Sequence, residues 1–197
     1  MVLRALLFGL VLSGCGRSEL LGPHELDFNG SAGADAARVC PGGTRRTPTV
    51  AVTTAWAKGC IDVSYVDELA SELPLLRGAM AAWSSPDCTS VCFSLKPWPT
   101  RPNTRTILLH EDHGALRPSD GALTVYYGNV PGFSSVREMA SLIRRPGTSV
   151  TAEDYLSAVG VALGFEATRG VDSAVNSPRA TLTEADLQSV CALYPCN

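Results

Sequence analysis

Four consecutive residues, His110-Glu111-Asp112-His113, carry side chains that commonly bind metal ions in proteins. Their spacing differs from that of a zinc-binding helix, because the two histidines are three residues apart and not four. The segment follows a predicted strand and precedes Gly114, which indicates a loop. We expect a solvated polar turn here. The alternative is an accessory metal site formed by His110 and His113.

Nucleophilic catalysis has little support in the sequence. The segment Gly132-Phe133-Ser134-Ser135-Val136 lacks the second glycine of the turn that exposes the nucleophile of a serine hydrolase. The whole chain has three histidines, so few Ser-His-Asp triads are possible, and the spacing indicates none. A cysteine nucleophile is also disfavoured. The N-terminus, described next, has the organisation of an export signal, and cysteines in an exported chain are better explained as disulfide partners.

The N-terminus has the organisation of a secretory signal. An apolar run from Ala5 to Leu12 is too short to span a bilayer as a helix. Leu12-Ser13-Gly14-Cys15 then resembles the processing site of bacterial lipoproteins, in which the cysteine becomes the lipidated N-terminus. The resemblance implies removal of residues 1–14, lipid attachment at Cys15 and a place in the cell envelope. Gly16 favours the outer membrane, because an Asp at that position retains some lipoproteins in the inner membrane.

Charge argues against nucleic acid as a partner. The full chain has a net charge of −3, and the chain without residues 1–14 holds 15 Lys and Arg against 19 Asp and Glu. The sequence contains no block of basic residues and no Lys/Arg-rich helix. We therefore expect the membrane, reached through the lipid, to be the first partner of the protein.

Six cysteines remain once Cys15 carries the lipid, and an even number in an exported chain predicts three disulfides. Local bridges between Cys191 and Cys196 and between Cys88 and Cys92 are plausible, although fifteen pairings are possible for six cysteines. A zinc-thiolate site is disfavoured because no Cys-x-x-Cys pair occurs. The disulfide candidates are Cys40, Cys60, Cys88, Cys92, Cys191 and Cys196.

The chain divides into a tether and one domain. Residues 15–48 are rich in Gly and Pro and lack a periodic apolar face, so we expect an extended or mobile segment. Residues 49–197 are long enough for one hydrophobic core and too short for two. Strand-forming composition marks 50–54, 61–66, 91–95, 104–110 and 122–127, with 136–145 as a further candidate.

Three helices are predicted from apolar spacing and capping residues. The first runs from Pro74 to Trp83, because proline suits the first turn of a helix. Strands with interleaved helices and two terminal helices indicate an α+β domain, a twisted mixed sheet packed by three helices and stapled by disulfides. The later two helices have capping boxes at Thr151/Asp154 and Thr183/Asp186 and end at Gly164 and Pro195.

The segment Tyr155–Ala167 resembles the active-site helix of matrixin-type metzincin proteases, His-Glu-x-x-His-x-x-Gly-x-x-His. In that family the histidines bind zinc and the Glu activates the zinc-bound water. Gly164 keeps the family's bend position. Ser157 stands at the first His, Ala158 at the Glu, Val161 at the second His and Ala167 at the third His.

The resemblance extends to both sides of this helix. Asp172–Asn176 stands where metzincins have a turn with Met beneath the metal, and Val175 occupies the Met position. Matrixin-like proteins often continue with Leu-Thr, an acidic helix start and Leu-Tyr-Pro, which Leu182–Asp186 and Leu193–Pro195 match. Leu73–Trp83 and the following Cys resemble the first helix of bacterial matrixin-like proteins. The resemblance implies a small metzincin-like domain.

This resemblance implies a fold without its usual chemistry. Valine offers no lone pair to a metal, alanine takes no proton and a neutral serine is a poor zinc ligand. We therefore expect no catalytic residue and no cofactor, and Val161 could fill the space of the lost metal. The expected function is binding of a peptide or an envelope protein, or a structural role. The alternatives are an active zinc metalloprotease with atypical ligands and an envelope structural lipoprotein unrelated to metzincins.

Overall fold

The computed structural model describes the part of the chain that was expected to form the domain. The predicted signal peptide, Cys15, Cys40 and all of the predicted tether except Pro48 lie outside the described residues. No described helix is long and apolar enough to cross a membrane. The described residues are 48–53, 55–56, 60–97, 106–128 and 139–196.

The described residues form seven strands and three α-helices. A 3₁₀ helix over Asp67–Glu72 leads into the first α-helix. In chain order the elements are β1 (Ala51–Val52), β2 (Ile61–Tyr65), α1 (Leu73–Ser84), β3 (Phe93–Pro97), β4 (Thr106–Glu111), β5 (Leu123–Gly128), β6 (Met139–Arg144), α2 (Ala152–Leu163), β7 (Phe165–Glu166) and α3 (Glu184–Leu193).

A mixed five-stranded sheet has the order β3-β2-β4-β6-β5. Its first four strands are parallel, and β5 is antiparallel to β6 at one edge. The short strands β1 and β7 form a separate antiparallel pair. The predicted fold class, an α+β domain with a mixed sheet, three helices and disulfides, is confirmed.

The hydrophobic core lies between the sheet and the helices α1 and α2, which pack on each other. Two indole rings are buried and satisfied: Trp83 Nε1 donates to the Leu156 carbonyl and Trp56 Nε1 donates to the Ala162 carbonyl, each at 2.8 Å. Both acceptors belong to α2. The helix is therefore held by polar bonds as well as by burial of its apolar face.

Helix α2 begins and ends where its sequence predicts. Thr151 and Asp154 form a complete capping box, in which each side chain accepts from the backbone N–H of the other residue. Gly164 has φ of 114°, a left-handed conformation that glycine adopts without steric cost. The buried face includes Tyr155, Val159 and Leu163, as the apolar spacing predicts.

The disulfides differ from the local bridges that the sequence made plausible. Cys88 pairs with Cys191 and Cys60 pairs with Cys92, so the bridges between Cys88 and Cys92 and between Cys191 and Cys196 are wrong. The physical reason is the packing of α3 beside the loop after α1, which brings residues 103 positions apart into contact. Cys196 is also disulfide-bonded.

Strand boundaries lie within three residues of the predicted ones, and β2 begins at the predicted residue, Ile61. The segment 139–144, a candidate strand, is β6 at an inner position of the sheet. Strand β4 continues through Glu111, so the first half of His110-Glu111-Asp112-His113 is strand and only its second half is a turn. Strand β7 was not predicted, because two residues after a helix carry no periodic pattern.

Candidate functional site

A groove with a volume of about 280 Å³ lies between helix α2 and the edge strand β5. Helix α2 forms its floor, β5 forms one wall and Pro178 borders it from the segment that precedes α3. The space is open to solvent and does not close into the core. The lining residues are Leu123, Thr124, Val125, Asp154, Ser157, Ala158, Val161 and Pro178.

Three of the predicted degenerate positions line this groove together. Ser157 and Val161 are half-buried on the groove side of α2, and Ala158 between them is buried at 5% exposure. They stand where the metzincin resemblance places the first His, the Glu and the second His. Val161 is half-buried and leaves the groove open, which differs from the closed cleft that its apolar side chain could have produced.

The other two predicted positions lie outside the groove. Ala167 is exposed and follows β7 directly, so it does not join Ser157 and Val161 at one point. Val175 is 7% exposed and lies beneath α2, where its Cγ2 atom is 2.9 Å from the position of a Cβ built on Gly160. Residues 174–176 form a turn, and this turn brings Val175 against the backbone of α2.

A buried carboxylate fixes that turn to the start of α3. Asp186 is fully buried and accepts hydrogen bonds from Ser173 Oγ at 2.5 Å and from the Ala174 N–H at 2.9 Å. It also accepts from the backbone N–H and the hydroxyl of Thr183, both at 2.9 Å. The helix cap thus holds the turn as well as the helix, which positions Val175 under the groove floor.

The donor set of the groove does not fit a zinc ion. Zinc in proteins takes thiolate, imidazole or carboxylate ligands, with about three of them in a catalytic site. Asp154 supplies the single carboxylate among the lining residues, and the other seven carry hydroxyl or hydrocarbon side chains. Within the described ranges, no group of three or more His, Cys, Asp and Glu side chains could hold a metal ion.

The outer edge of β5 presents backbone groups beside the groove. Arg145 N–H donates to the Ala122 carbonyl, so the pair at the start of the β5–β6 ladder is hydrogen-bonded. The next pair, Leu123 and Arg144, is not hydrogen-bonded, because the Arg144 carbonyl accepts from Asp112 N–H on the β4 side. Hydrogen-bonded and non-hydrogen-bonded pairs alternate in an antiparallel ladder.

This alternation sets the direction of each backbone group in β5. Thr124 exchanges hydrogen bonds with β6, whereas the N–H and C=O groups of Leu123 and Val125 point away from it. Among the described strands, none pairs with this side of β5. The side chains of Leu123 and Val125 turn toward α2 and pack against the core. Strand β5 is therefore an edge with its apolar side chains over the groove.

Tyr127 closes the far end of the groove. Its hydroxyl donates to the carbonyl oxygen of Val161 at 2.5 Å, which bridges β5 and α2. The tyrosine is 38% exposed, so the contact lies at the surface. Because β5 and α2 converge here, the accessible space extends from this contact toward Asp154 at the first turn of the helix.

A polar network anchors the opposite end of α2. Glu72 accepts from Arg144 Nε and from the Tyr155 hydroxyl, each at 2.6 Å. Arg144 also donates to the backbone carbonyls of Arg145 and Thr148. Burial, the hydrogen bond to Glu72 and the charge of Glu72 raise the pKa of Tyr155 far above its usual value.

The segment His110–His113 does not join the groove. The two imidazole rings stack with their centroids 6.5 Å apart, and His110 Nδ1 lies 2.8 Å from the Glu111 carbonyl. Asp112 accepts three backbone N–H groups of the following turn. Loss of solvent contact opposes ionisation of Asp112, but these bonds and the Arg145 charge outweigh it and lower its pKa.

A second, half-buried carboxylate fastens the loop before β5. Asp120 accepts from the Arg117 N–H at 2.7 Å and from the Tyr126 hydroxyl at 2.9 Å. The first of these bonds is the main reason that the pKa of Asp120 is lowered, and the bond that the Tyr126 hydroxyl donates to Asp120 raises the pKa of Tyr126. These contacts hold a loop and assemble no reacting groups.

Sequence reasoning missed the β5 side of the groove. The segment 122–127 was predicted as a strand, but its position at the sheet edge depends on long-range pairing that local composition does not encode. Asp154 was assigned to the helix cap alone. The alternation of Leu123, Val125 and Tyr127 is the signal that could have indicated one apolar face on this strand.

No protein-family model matches the chain, and no curated protein matches it. Among solved structures, the chain is similar to high choriolytic enzyme 1, a hatching-enzyme zinc protease from the medaka fish Oryzias latipes. The two chains share 13% sequence identity at a TM-score of 0.49, and the likeness covers 73% of this chain and 95% of that chain. The function proposed for this protein rests on its groove and not on that neighbour.

Proposed function

We propose that this protein is a metzincin-like domain that binds an extended peptide without hydrolysing it. The observation that carries the proposal is the edge of β5 with which no described strand pairs, beside a floor made by Ser157, Ala158 and Val161. A peptide added to a sheet edge gains main-chain hydrogen bonds, and pockets beside the edge select alternate side chains. The groove offers both a strand edge for main-chain hydrogen bonds and a space for side chains.

Backbone pairing would involve the groups of β5 that point away from β6. The N–H and C=O of Val125 can pair with one residue of the peptide, and those of Leu123 can pair with a residue two positions along. The intervening peptide side chains would alternate between solvent and the groove. The apolar wall of Leu123 and Val125 then covers each inward side chain.

The absence of hydrolysis follows from the side chains of the floor. Hydrolysis in the metzincin manner requires a metal-activated water and a carboxylate that takes its proton. Ala158 stands at the carboxylate position and Val161 at a ligand position, and neither side chain can exchange a proton or donate a lone pair. Ser157 has a hydroxyl but no imidazole among the lining residues to activate it.

The binding proposal is tested by selecting peptides from a displayed random heptamer library on purified residues 16–197. We expect enriched peptides whose affinity falls at least tenfold when alternate backbone nitrogens are methylated, because methylation removes the donors that pair with β5. The variant Ser157→Phe should block binding, whereas Glu153→Phe, one turn earlier and outside the groove lining, should not. No enriched peptide, or no effect of methylation and Ser157→Phe, would contradict the proposal.

Metal content tests the claim that the zinc chemistry is absent. Residues 16–197, produced in an oxidising compartment and dialysed, are analysed for zinc and calcium per chain. We expect less than about 0.1 zinc per chain, since the groove offers a single carboxylate. One tightly held zinc, lost in the double variant His110→Ala/His113→Ala, would restore the metalloenzyme alternative. Peptide cleavage that stops on chelation would do the same.

We propose further that lipid on Cys15 holds the protein at the bacterial outer membrane. The support is the signal-like N-terminus with its Leu-Ser-Gly-Cys end. Several acyl chains anchor a protein far more firmly than one, at ~0.8 kcal/mol for each buried methylene. In a bacterial host, labelled palmitate should enter the wild-type chain and not Cys15→Ala, and the variant should leave the membrane fraction. Equal fractionation of both would reject the anchor.

A further inference from the structure

We infer that the groove selects extended peptides with a Lys or Arg two residues from a small apolar residue. This inference rests on the proposed function, and it adds the chemical class of the ligand. Asp154 at the open end of the groove would receive the basic side chain. Ala158, one helical turn along the floor, would receive the small one.

Asp154 gives the groove a negative end. Among the described residues that line the groove it alone carries a charge, because the others have hydroxyl or hydrocarbon side chains. Both hydrogen bonds that hold its side chain, from Thr151 N–H at 2.9 Å and from Thr151 Oγ1 at 3.0 Å, go to Oδ2. Oδ1 can therefore accept from a bound ammonium or guanidinium group while the helix cap stays intact.

The helix dipole does not cancel this charge. The N-terminus of an α-helix is equivalent to roughly half a positive charge. Glu153 and Asp154 together place two carboxylates in the first turn of α2. The first turn is therefore negative on balance, which disfavours an anionic ligand and favours a cationic one.

The basic residues near this end are already engaged. Arg144, which stands opposite Leu123, contacts the carboxylates of Glu72 at 2.6 Å and Glu111 at 3.8 Å. Arg145 donates to the backbone carbonyls of Arg117 and Asp120 in the loop before β5. Neither arginine contributes to the groove lining. A basic peptide side chain would thus meet Asp154 without a competing arginine on the groove wall.

The distance between the two subsites matches the repeat of a strand. Asp154 and Ala158 are four residues apart on α2, which is about 6 Å along the helix axis. Residues i and i+2 on one face of a strand are about 6.8 Å apart. A peptide that pairs with β5 can therefore place consecutive inward side chains over these two residues.

The second subsite accepts a small side chain because its floor is already filled. Ala158 is 5% exposed, so little depth remains above it. Val161 follows on the same side of α2, and its carbonyl is held by the Tyr127 hydroxyl at the closed end. We therefore expect this subsite to accept Ala, Ser or Val and to disfavour an aromatic ring.

Fluorescence anisotropy with two matched peptide pairs tests the inference. The first pair contains Lys-x-Ala and the second contains Ala-x-Lys, both in a Thr/Val background, because a peptide can run along β5 in either direction. In each pair the second peptide has norleucine in place of Lys, which keeps the aliphatic stem and removes the charge. We expect the better Lys peptide to bind about fivefold more tightly than its partner at low salt, with a smaller difference at 0.5 M salt.

Two variants assign the charge effect to one side chain. Asp154→Asn keeps an acceptor for Thr151 and should make the Lys and norleucine peptides equal. Glu153→Gln removes the neighbouring charge and should preserve most of the preference. Equal binding of both peptides to the wild type overturns this inference and leaves the proposed function standing. Failure of every peptide to bind, including those selected from the library, overturns the proposed function itself.

Discussion

The indole ring of Trp83 lies directly against the backbone of Gly160. A Cβ atom on Gly160 would lie 2.4 Å from Trp83 Cζ2 and 2.9 Å from Val175 Cγ2. Trp83 belongs to α1 and Val175 to the turn before α3, so three parts of the fold meet where α2 has no side chain. The floor of the groove is supported from below by this close contact.

Replacement of Gly160 by alanine should therefore destabilise the protein. Alanine is favoured over glycine in a helix by roughly 1 kcal/mol, but overpacking of a core costs about 1–3 kcal/mol. Trp83 is fully buried and its N–H is bonded to Leu156, so the ring cannot move aside cheaply. We expect Gly160→Ala to lower the free energy of unfolding by up to about 2 kcal/mol in urea denaturation.

Gly78 provides the control for that substitution. It lies in α1, and nothing is within 4 Å of a Cβ built on it. Gly78→Ala should raise the free energy of unfolding by about 0.5–1 kcal/mol through helix propensity alone. If Gly160→Ala were as stabilising as Gly78→Ala, the close packing beneath the groove floor would be disproved.

Proline substitutions test the direction of the backbone groups in β5. Thr124 N–H belongs to the ladder with β6, so Thr124→Pro removes a ladder hydrogen bond and should clearly lower the free energy of unfolding. Val125 N–H points to the open edge, where proline is tolerated. We expect Val125→Pro to lower the free energy of unfolding less than Thr124→Pro while weakening peptide binding strongly.

Val125→Ala separates the lost N–H from the lost side chain. This variant shortens the groove wall but keeps the backbone donor, so it should retain more peptide binding than Val125→Pro. Urea denaturation and fluorescence anisotropy provide the two readouts. Equal loss of stability in Thr124→Pro and Val125→Pro would mean that the strand alternation has been assigned to the wrong residues.

The hydrogen bond from Tyr155 to Glu72 predicts a loss of stability at alkaline pH. The pKa of Tyr155 is raised in the folded state, so its contribution is fully present below the unfolded value of 10.0 and is lost as the pH rises beyond it. Tyr155→Phe should lower the free energy of unfolding by about 1–2 kcal/mol at pH 7. The difference in the free energy of unfolding between Tyr155→Phe and the wild type should become smaller as the pH rises from 10 to about 12.

Tyr126 is the matched control for this titration. Its hydroxyl also bonds to a carboxylate, that of Asp120, but the residue is 38% exposed. Tyr126→Phe should therefore change stability little at either pH. Urea denaturation followed by circular dichroism at pH 7 and pH 11 gives both comparisons. If the loss of unfolding free energy depended on pH equally in both variants, the alkaline effect would come from the overall charge of the protein and not from Tyr155.

The sequence predicted α2 well because its signals are local. The capping box of Thr151 and Asp154 and the left-handed Gly164 each act within one turn of helix. The apolar spacing from Tyr155 onward then decided which face is buried. The outcome at Val161 was not predicted: its apolar side chain could have closed the cleft, whereas it lines an open groove.

The groove and the disulfides depend on contacts that no local pattern contains. Cys88 was close enough to Cys92 for a local bridge, yet its partner is Cys191, because α3 returns to the end of α1. Strand β5 could be predicted as a strand, but its antiparallel pairing with β6 at the sheet edge could not. Register and edge position follow from tertiary packing, and they are what open the groove.

The two capping carboxylates, Asp154 and Asp186, should differ sharply when each is replaced by alanine. Asp154 is partly exposed and accepts from Thr151 alone, so Asp154→Ala should cost about 1 kcal/mol, as lost helix caps do. Asp186 is fully buried, and its removal leaves the Ser173 hydroxyl and the Ala174 N–H without their acceptor. We expect Asp186→Ala to cost about 3 kcal/mol or more in urea denaturation.

The turn held by Asp186 also links stability to binding. Val175 in this turn supports Gly160 from below, and Pro178 at the end of the same segment borders the groove. Asp186→Asn keeps the size of the side chain and one acceptor, so the fold should survive while the turn loosens. We expect peptide affinity to fall several-fold in Asp186→Asn, although this residue never touches the ligand. Unchanged affinity, together with a clear loss of stability, would mean that the groove keeps its shape without this turn.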